Sequence, residues 1–289
     1  MTPTQQPLLM AIAGASLLTL GGMAWLARDL VVAEGRSGAS LQEILEEVRQ
    51  GKGSAGPPPR PAPPPPDSRR WSSPLSRNCP AIDPSLQSRL SQMQSRHQAG
   101  LRRRIAIDPT NYGDRHRLDA FGNPLDTTPQ VIVLHETVYS LDSAVNTFLT
   151  PHPRDEDQVS YHSLVGIDGT VIDTVDPSRR AFGAGNSAFN GRWVITNPKV
   201  GGSINNFALH LSLETPADGQ ETSAPHSGYT PEQYDAMALV VGDWMARYRI
   251  APSQITTHRH VDLGGERSDP RSFDWQELRS RLSALGLGC

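Results

Sequence analysis

Two histidines and one aspartate occupy positions that suit the ligands of a catalytic metal ion. His135 follows an apolar run at residues 131–134, His258 follows an Ile-Thr-Thr segment, and Asp269 lies in a polar loop ahead of a predicted helix. Imidazole and carboxylate groups are suitable zinc donors. A catalytic zinc site needs three protein ligands, a fourth position open to water, and rigid elements around them. Because the spacing of the three residues forms no local motif, the surrounding sequence must support the assignment.

Four segments around these residues occur in an order that is typical of one enzyme family. They read VIVLHET, VSYHSLVGIDGTVID, NNFALHLSLE and THRHVDLGGERSDPRSFDW. In this order they resemble the zinc-dependent N-acetylmuramoyl-L-alanine amidases, which include bacterial cell-wall amidases, phage amidase lysozymes and animal peptidoglycan-recognition proteins. The resemblance covers residues 104–289 and depends on the combination, since each motif alone is weak.

The resemblance implies a metal site and a reaction. His135, His258 and Asp269 fall on the ligand positions of one catalytic Zn²⁺. The implied reaction is zinc-dependent hydrolysis, by metal-activated water, of the amide bond between the lactyl group of N-acetylmuramic acid and L-alanine in peptidoglycan. His260 is an alternative ligand, because it would share the side of His258 in an extended chain. Otherwise we predict that His260 supports the ligands or lines the cleft.

Two further residues are predicted to act on the substrate. The family uses either a carboxylate on the inner strand or a tyrosine in a Tyr-His motif, and here the strand position holds Ser212, which cannot act as a base. The resemblance therefore implies that Tyr161 hydrogen-bonds the attacking water or the intermediate. Arg267 replaces a lysine of many relatives, and its guanidinium can stabilise an oxyanion but cannot donate a proton near neutral pH. The alternatives are an ordinary strand residue and a solvated loop charge.

Two acidic residues lie near the predicted ligands in the sequence. Glu136 adjoins His135, but consecutive strand residues point to opposite faces, so we predict a supporting or structural role unless the strand ends at His135. Glu214 shares the side of Ser212 near the end of its strand and is another carboxylate candidate. Both are therefore expected close to the ligands.

A glycine-containing segment that begins at Phe182 is predicted to line the substrate cleft. Many relatives carry an aromatic-His-Ala-Gly motif here, whereas this chain reads Phe-Gly-Ala-Gly, so one imidazole that could contact substrate is missing at Gly183. The loop that follows is expected to meet glycan or peptide carboxylates, although an ordinary surface loop would have the same composition. The predicted substrate-binding residues are Phe182, Asn186, Asn190 and Arg192. A second loop, at residues 216–229, is expected to wall the cleft.

Alternating strands and helices must position these residues. Hydrophobic periodicity predicts strands over residues 131–136 and 207–213, and a hairpin over residues 161–175 across an Asp-Gly turn. Apolar spacing and capping residues predict helices over residues 84–98, 142–149, 230–248 and 275–285. A mixed β-sheet flanked by helices follows, which is an α/β fold and also the fold that the resemblance implies.

The N-terminal part of the chain is predicted to be a membrane anchor and a linker. Residues 8–27 form an almost continuous apolar segment without charge, and as a helix they would span about 30 Å, the thickness of a bilayer core. We predict an anchor within residues 1–30, with a cleaved signal peptide as the alternative. The catalytic domain would then lie in the periplasm or cell-wall space, or be secreted after cleavage.

The segment between the anchor and the catalytic domain has the composition of a spacer. Residues 31–70 are predicted to contain a short acidic helix followed by a Pro/Gly-rich linker, whose reach as a polyproline II tether would be on the order of 50 Å. The predicted tether and acidic helix would permit regulation by a binding partner, whose identity the sequence does not indicate. The zinc amidase domain is predicted at residues 71–289, with a core at about 104–289.

Charge and cysteine content limit the expected classes of binding partner and the expected covalent links. The chain of 289 residues has a formal net charge of −3 and lacks interleaved basic and aromatic residues, so nucleic-acid binding is not expected, and the basic run at residues 102–104 is interpreted as a solvated loop. Cys79 and Cys289 have no zinc-ligand spacing. They are candidates for a disulfide in an oxidising compartment, and two free thiols are the alternative.

Two other functions share some of these features. A non-catalytic peptidoglycan-binding module would have the same fold, but such proteins typically lack a metal ligand that this chain retains. A zinc peptidase acting on the stem peptide would share the metal chemistry, but it would not predict the VSYH and RSDP motifs in this order. The sequence favours the amidase.

Overall fold

The structure, a computed structural model, describes residues 58–76 and 80–287. The predicted anchor at residues 8–27, the predicted acidic helix, Cys79 and Cys289 all lie outside the described residues. Within the described ranges, no helix is both long enough and apolar enough to cross a membrane. The described residues from Pro59 onward belong to one compact unit, Pro59–Cys289.

A six-stranded mixed sheet forms the centre of this unit. Its strands are β1 (Arg102–Arg104), β3 (Val131–Glu136), β4 (Ser163–Val165), β5 (Val171–Asp173), β9 (Ala208–Leu213) and β10 (Ile255–Thr257). The order across the sheet is β1-β5-β4-β9-β3-β10, and every neighbouring pair is parallel except β4 with β5. Two small antiparallel pairs complete the strands: β2 (Tyr112–Asp114) with β6 (Arg179–Ala181), and β7 (Val194–Asn197) with β8 (Gly201–Ser203).

Helices flank the sheet, and four of the five described helices have a side chain that caps the N-terminus. They are α1 (Pro84–Arg96), α2 (Leu141–Leu149), α3 (Pro231–Tyr248), α4 (His258–Val261) and α5 (Trp275–Ala284). A capping box between Thr230 and Gln233 starts α3. Asp274 caps α5 by accepting a hydrogen bond from the Gln276 backbone N–H. Short 3-10 turns lie at Pro74–Ser76, Pro109–Asn111, Asp155–Asp157, Ala217–Gly219 and Pro252–Gln254, and a π-helical turn at His97–Leu101.

The two central strands are buried on both faces. Leu134 of β3 and Leu211 of β9 point into a cluster that includes Trp244 of α3, and each such leucine contributes about 1.5–3 kcal/mol when fully buried. The opposite face contains Val133 and, further along the strand, His135. Alternation along the strands therefore places the leucines against α3 and puts His135 on the other face with Val133.

The predicted α/β fold is confirmed, with local differences. The hairpin strands are shorter than predicted, so Tyr161 precedes β4. The interpretation of residues 102–104 as a solvated loop is wrong, because they form edge strand β1, where Arg102 donates two hydrogen bonds to Asp173 at 2.8 and 3.2 Å. The first helix ends at Arg96, and the π-helical turn after it contains Gly100 with a φ of 110°.

The Pro-rich segment differs from a free tether after residue 59. The Arg60 N–H donates to the Phe121 carbonyl at 2.9 Å, and the Trp71 N–H donates to the Asn190 side chain at 3.1 Å. Extended Pro-rich backbone makes no internal hydrogen bonds, so its remaining polar groups are available to neighbouring loops. This part of the segment therefore packs on the rest of the compact unit.

Candidate active site

His135, His258 and Asp269 converge at one edge of the sheet. Strands β3 and β10 are parallel neighbours with Leu134 paired to Thr257, so the two histidines that follow these residues emerge side by side. The loop before α5 brings Asp269 against both. One Asp269 oxygen lies 3.3 Å from His135 Nδ1 and the other lies 3.1 Å from His258 Nδ1. One ligand atom from each residue lies within 4.8 Å of the other two.

This donor set is suited to a metal ion such as zinc. In a tetrahedral zinc site with bonds of about 2.0–2.1 Å, ligand atoms lie roughly 3.3 Å apart, close to the carboxylate–imidazole separations found here. Burial lowers the pKa of His135 to about 4, which keeps the imidazole neutral and able to donate a lone pair. Burial alone would raise the pKa of Asp269, but hydrogen bonds with His135 and His258 outweigh it and hold that pKa below the ordinary value.

A third histidine, which the sequence analysis did not include in the site, contacts the candidate ligand His135. His210 of β9 is fully buried, and its Nδ1 lies 2.9 Å from His135 Nε2. The register pairs His135 with Ser212, so His210 lies on the same face one pair further back. The alternation of leucines in NNFALHLSLE already separated His210 from the apolar face. Its contact with His135 depends on the pairing of β3 with β9, which one strand's sequence does not specify.

Tyr161 lies against His135, one of the candidate ligands. Its ring stacks on that of His135 with centroids 4.4 Å apart and an interplanar angle of 29°, and Phe148 meets it edge-on at 5.7 Å. Burial raises the pKa of Tyr161, so the hydroxyl remains protonated at neutral pH. The tyrosine can therefore donate a hydrogen bond into the cleft that it lines.

Arg267 lies at the rim of the same cleft. Its backbone N–H donates to Asp262 at 3.0 Å, which anchors the loop, while its side chain is exposed. Within the described part of the chain, the guanidinium forms no ion pair and no side-chain hydrogen bond. It is the kind of free cation that can contact a ligand in the cleft.

The cleft has a volume of about 890 Å³, which accommodates a ligand of several sugar or amino-acid units. His258 and Asp269 line it, and so do Tyr161, Phe182 and Gly183. Arg180 lies over the Phe182 ring at 5.1 Å and also lines the cleft. Acidic residues from the Asp155–Asp157 turn complete one side. Charged and aromatic groups therefore surround the candidate metal site.

The two candidate carboxylates have other partners. The Glu136 side chain is buried in an ion pair with Arg271 and accepts hydrogen bonds from Tyr229 and from His226, the latter at 3.0 Å. The Glu214 carboxylate accepts hydrogen bonds from the Leu141 N–H at 2.9 Å and from the Ile167 N–H at 3.0 Å. Glu136 therefore has a structural environment at the cleft edge. The expectation of a site position for Glu214 is corrected, because its carboxylate caps α2.

His260 does not lie beside His258. Residues His258–Val261 form the short helix α4 rather than an extended chain, and a step of two residues turns a helix by about 200°. The His260 ring instead packs on Trp71 with centroids 4.4 Å apart. The expectation of a shared side is therefore wrong, and the group of possible metal ligands does not include His260.

Three of the predicted substrate contacts lie away from the cleft. The Asn190 side chain accepts from the Trp71 N–H, and Arg192 donates to Gln130 at 2.6 Å and to Gln254 at 3.0 Å. Asn186 contributes its carbonyl to the loop after α4, where it accepts from Leu263 N–H at 3.0 Å. Buried Phe189 turns the segment toward the start of β3, away from His135. Of the predicted contacts, only Phe182 lines the cleft.

Comparison with known proteins identifies the family to which the chain belongs. The family described as N-acetylmuramoyl-L-alanine amidase matches residues 125–272, more than half of the chain. The chain therefore belongs to the N-acetylmuramoyl-L-alanine amidase family. The matched residues include all three candidate metal ligands.

Individual relatives are also named as amidases of this type. The chain is 29% identical over 126 residues to the 1,6-anhydro-N-acetylmuramyl-L-alanine amidase AmpD of Citrobacter freundii. The aligned region covers 44% of this chain and 58% of that protein. It is 27% identical over 184 residues to the N-acetylmuramoyl-L-alanine amidase AmiD of Escherichia coli K12. This alignment covers 57% of this chain and 61% of the relative. The chain thus spans less than two thirds of the length of either protein. A crystal structure of a selenomethionine AmpD derivative superposes with a TM-score of 0.46 at 24% identity, covering 63% of this chain and 94% of the other.

Proposed function

We propose that this protein is a zinc-dependent amidase that hydrolyses the bond between the lactyl group of N-acetylmuramic acid and L-alanine. The convergence of buried His135 with His258 and Asp269, the last two of which line a large cleft, carries the proposal. The names of the amidase relatives support the substrate class. These three residues would hold the metal.

The residues around the metal position have complementary tasks. Bound zinc supplies a Lewis acid that polarises a carbonyl oxygen and makes a water molecule acidic enough to react near neutral pH. The protonated Tyr161 hydroxyl would donate a hydrogen bond to the reacting oxygen of the substrate. Arg267 would hold negative charge that develops at the cleft rim without transferring a proton. Phe182 offers an apolar face to the substrate.

Digestion of peptidoglycan by the full chain tests this function. The protein is stripped with a chelator, zinc is added back, and products from intact wall and from soluble anhydromuropeptides are analysed by mass. We expect zinc to restore the release of stem peptides with a free L-alanine amine, and His135→Ala to abolish it. His116→Ala is the matched control, because His116 is exposed and does not line the cleft.

Two outcomes would contradict the proposal. Binding of peptidoglycan without cleavage by the zinc-loaded protein would identify a recognition module. Cleavage inside the stem peptide, with the lactyl amide intact, would identify a peptidase. Comparison of the products from intact wall with those from soluble anhydromuropeptides distinguishes action on the polymer from action on soluble fragments.

The apolar segment at residues 8–27 supports a wall-facing location as part of this proposal. The full chain is expected in the membrane fraction, with its catalytic unit accessible to protease added outside the cytoplasmic membrane. Recovery of the catalytic unit in the cytoplasm would contradict this placement and would favour the processing of internalised fragments.

A further inference from the structure

The His210 ring fills the space in which residue 183 would carry a side chain. A Cβ atom built on Gly183 would lie 2.5 Å from both Cγ and Nδ1 of His210, and its three nearest neighbours all belong to that ring. Separations under 3.0 Å are not found for real Cβ atoms. The described structure therefore accommodates His210 in this position only because residue 183 is glycine.

The ring of His210 is oriented toward a candidate metal ligand. His135 presents Nδ1 to Asp269 and Nε2 to His210, whose Nδ1 is 2.9 Å away. If His135 binds a metal through Nδ1, its neutral ring carries the proton on Nε2 and must donate it. His210 Nδ1 then has to be the acceptor, which sets the tautomer of both rings and puts the His210 proton on Nε2, a buried atom without a hydrogen-bond partner among the described residues.

The surroundings of His210 restrain the ring. Its backbone N–H donates to His162 Nδ1 at 3.0 Å, and the two rings stack at 5.8 Å with an interplanar angle of 11°. His162 Nε2 lies 3.3 Å from the Arg179 carbonyl, the acceptor for its remaining proton. Since β9 is a central strand, the acceptor nitrogen of His210 is held by a rigid part of the fold.

We propose that His210 is a positioning residue for the metal site: it fixes the tautomer and orientation of His135, and Gly183 provides the space that this role requires. The inference rests on the metal binding that is part of the proposed function. Ligating histidines usually donate their second N–H to a carboxylate, a carbonyl or water. Here another imidazole from the neighbouring strand takes that place.

Zinc affinity, measured by competition with a chromophoric chelator on the full chain, tests the role directly. His210→Leu removes the acceptor at similar volume, and we expect its affinity to fall by about 10- to 100-fold. His210→Asn keeps an acceptor oxygen near the position of Nδ1, and we expect affinity within about threefold of the parent because this hydrogen bond is retained. Thr256→Val on β10 is the control, since Thr256 is also buried beside β3 but its hydroxyl has no partner among the described residues.

Gly183→Ala provides a second test that deletes no hydrogen-bonding group. We expect it to weaken zinc binding when His210 is present, because the new methyl group displaces the ring. In the His210→Ala background the same substitution should have little further effect. Folding of each apo variant is checked by circular dichroism and thermal unfolding before titration.

The outcomes separate this inference from the proposed function. A parent protein that does not bind zinc would overturn the metal site itself. Tight zinc binding by the parent and equally tight binding by His210→Leu would overturn the role of His210 alone. Equal losses in His210→Leu and His210→Asn would also overturn it, because a merely structural histidine is not rescued by an acceptor. If His210→Leu does not fold, the asparagine and Gly183→Ala variants decide: parental affinity in Gly183→Ala would contradict the proposal.

Discussion

Glu136 and Arg271 form a buried ion pair that joins the end of β3 to the loop carrying Asp269. The Arg271 guanidinium also donates hydrogen bonds to the carbonyls of Gly219, Thr222 and Ala224. One arginine therefore ties three segments together: the strand with His135, the loop with Asp269, and residues 216–229. Because Glu136 and His135 are adjacent on one strand, this connection holds two candidate ligands in a common frame.

Arg271→Met should strongly destabilise the protein. It leaves Glu136 buried without its cation, and breaking a buried pair by removing one partner costs about 3–5 kcal/mol. Urea denaturation of the parent and the variant measures the change in unfolding free energy. Arg154→Met is the control, because Arg154 forms only exposed ion pairs and should show no measurable change. Equal stability of Arg271→Met and the parent would show that the pair does not stabilise the fold.

Tyr161→Phe should reduce turnover while leaving zinc binding intact. Only the hydroxyl is removed, the stacked ring remains, and the loss of one oxyanion donor typically lowers kcat by about 10²–10³-fold. Steady-state kinetics on a muropeptide should show the effect in kcat more than in KM, and Tyr248→Phe serves as the control. Unchanged kcat would assign Tyr161 to packing against His135.

Arg267 should act through its charge. Arg267→Met is expected to lower kcat/KM by about 10- to 100-fold, whereas Arg267→Lys should retain a larger part of the activity because a cation remains at the rim. Both variants should bind zinc like the parent, which is checked by the same chelator competition. Full activity in the methionine variant would make Arg267 a solvated loop residue.

Stability should depend on pH through the buried His162. Burial, assisted by the charge of Arg115, lowers the pKa of His162 to about 3. Between roughly pH 3 and 6.5 the unfolded chain therefore binds a proton that the folded chain excludes, so this residue's contribution to stability is lost as the pH falls. The dependence approaches about 1.4 kcal/mol per pH unit in the middle of this window. The urea midpoint of the apo protein should accordingly fall less steeply between pH 6.5 and 4.5 in His162→Gln than in the parent. Equal slopes of midpoint against pH in the two proteins would show that His162 does not cause this loss of stability.

Local patterns were sufficient for most elements, whereas the candidate ligands were identified from the resemblance of four ordered segments to one family. The all-apolar run before His135 defines a buried strand, and Thr230 with Gln233 defines the start of α3, because periodicity and capping act between residues close in sequence. The ligand types and the motifs around them led to the same three residues that the structure brings together. The elements depend on short stretches of chain and the candidate ligands on the order of four such stretches, so the sequence by itself determined both.

The partners of each side chain were decided only by the tertiary structure. Glu214 caps a distant helix, Glu136 pairs with Arg271, and His260 turns away from His258 because α4 is helical. The contact of His210 with His135 requires the parallel pairing of two strands that lie far apart in the chain. Strand register and loop packing arise from long-range burial, and a change of register by one residue would reverse the face of every side chain. The sequence therefore determined which groups are available for chemistry, while packing decided which of them meet.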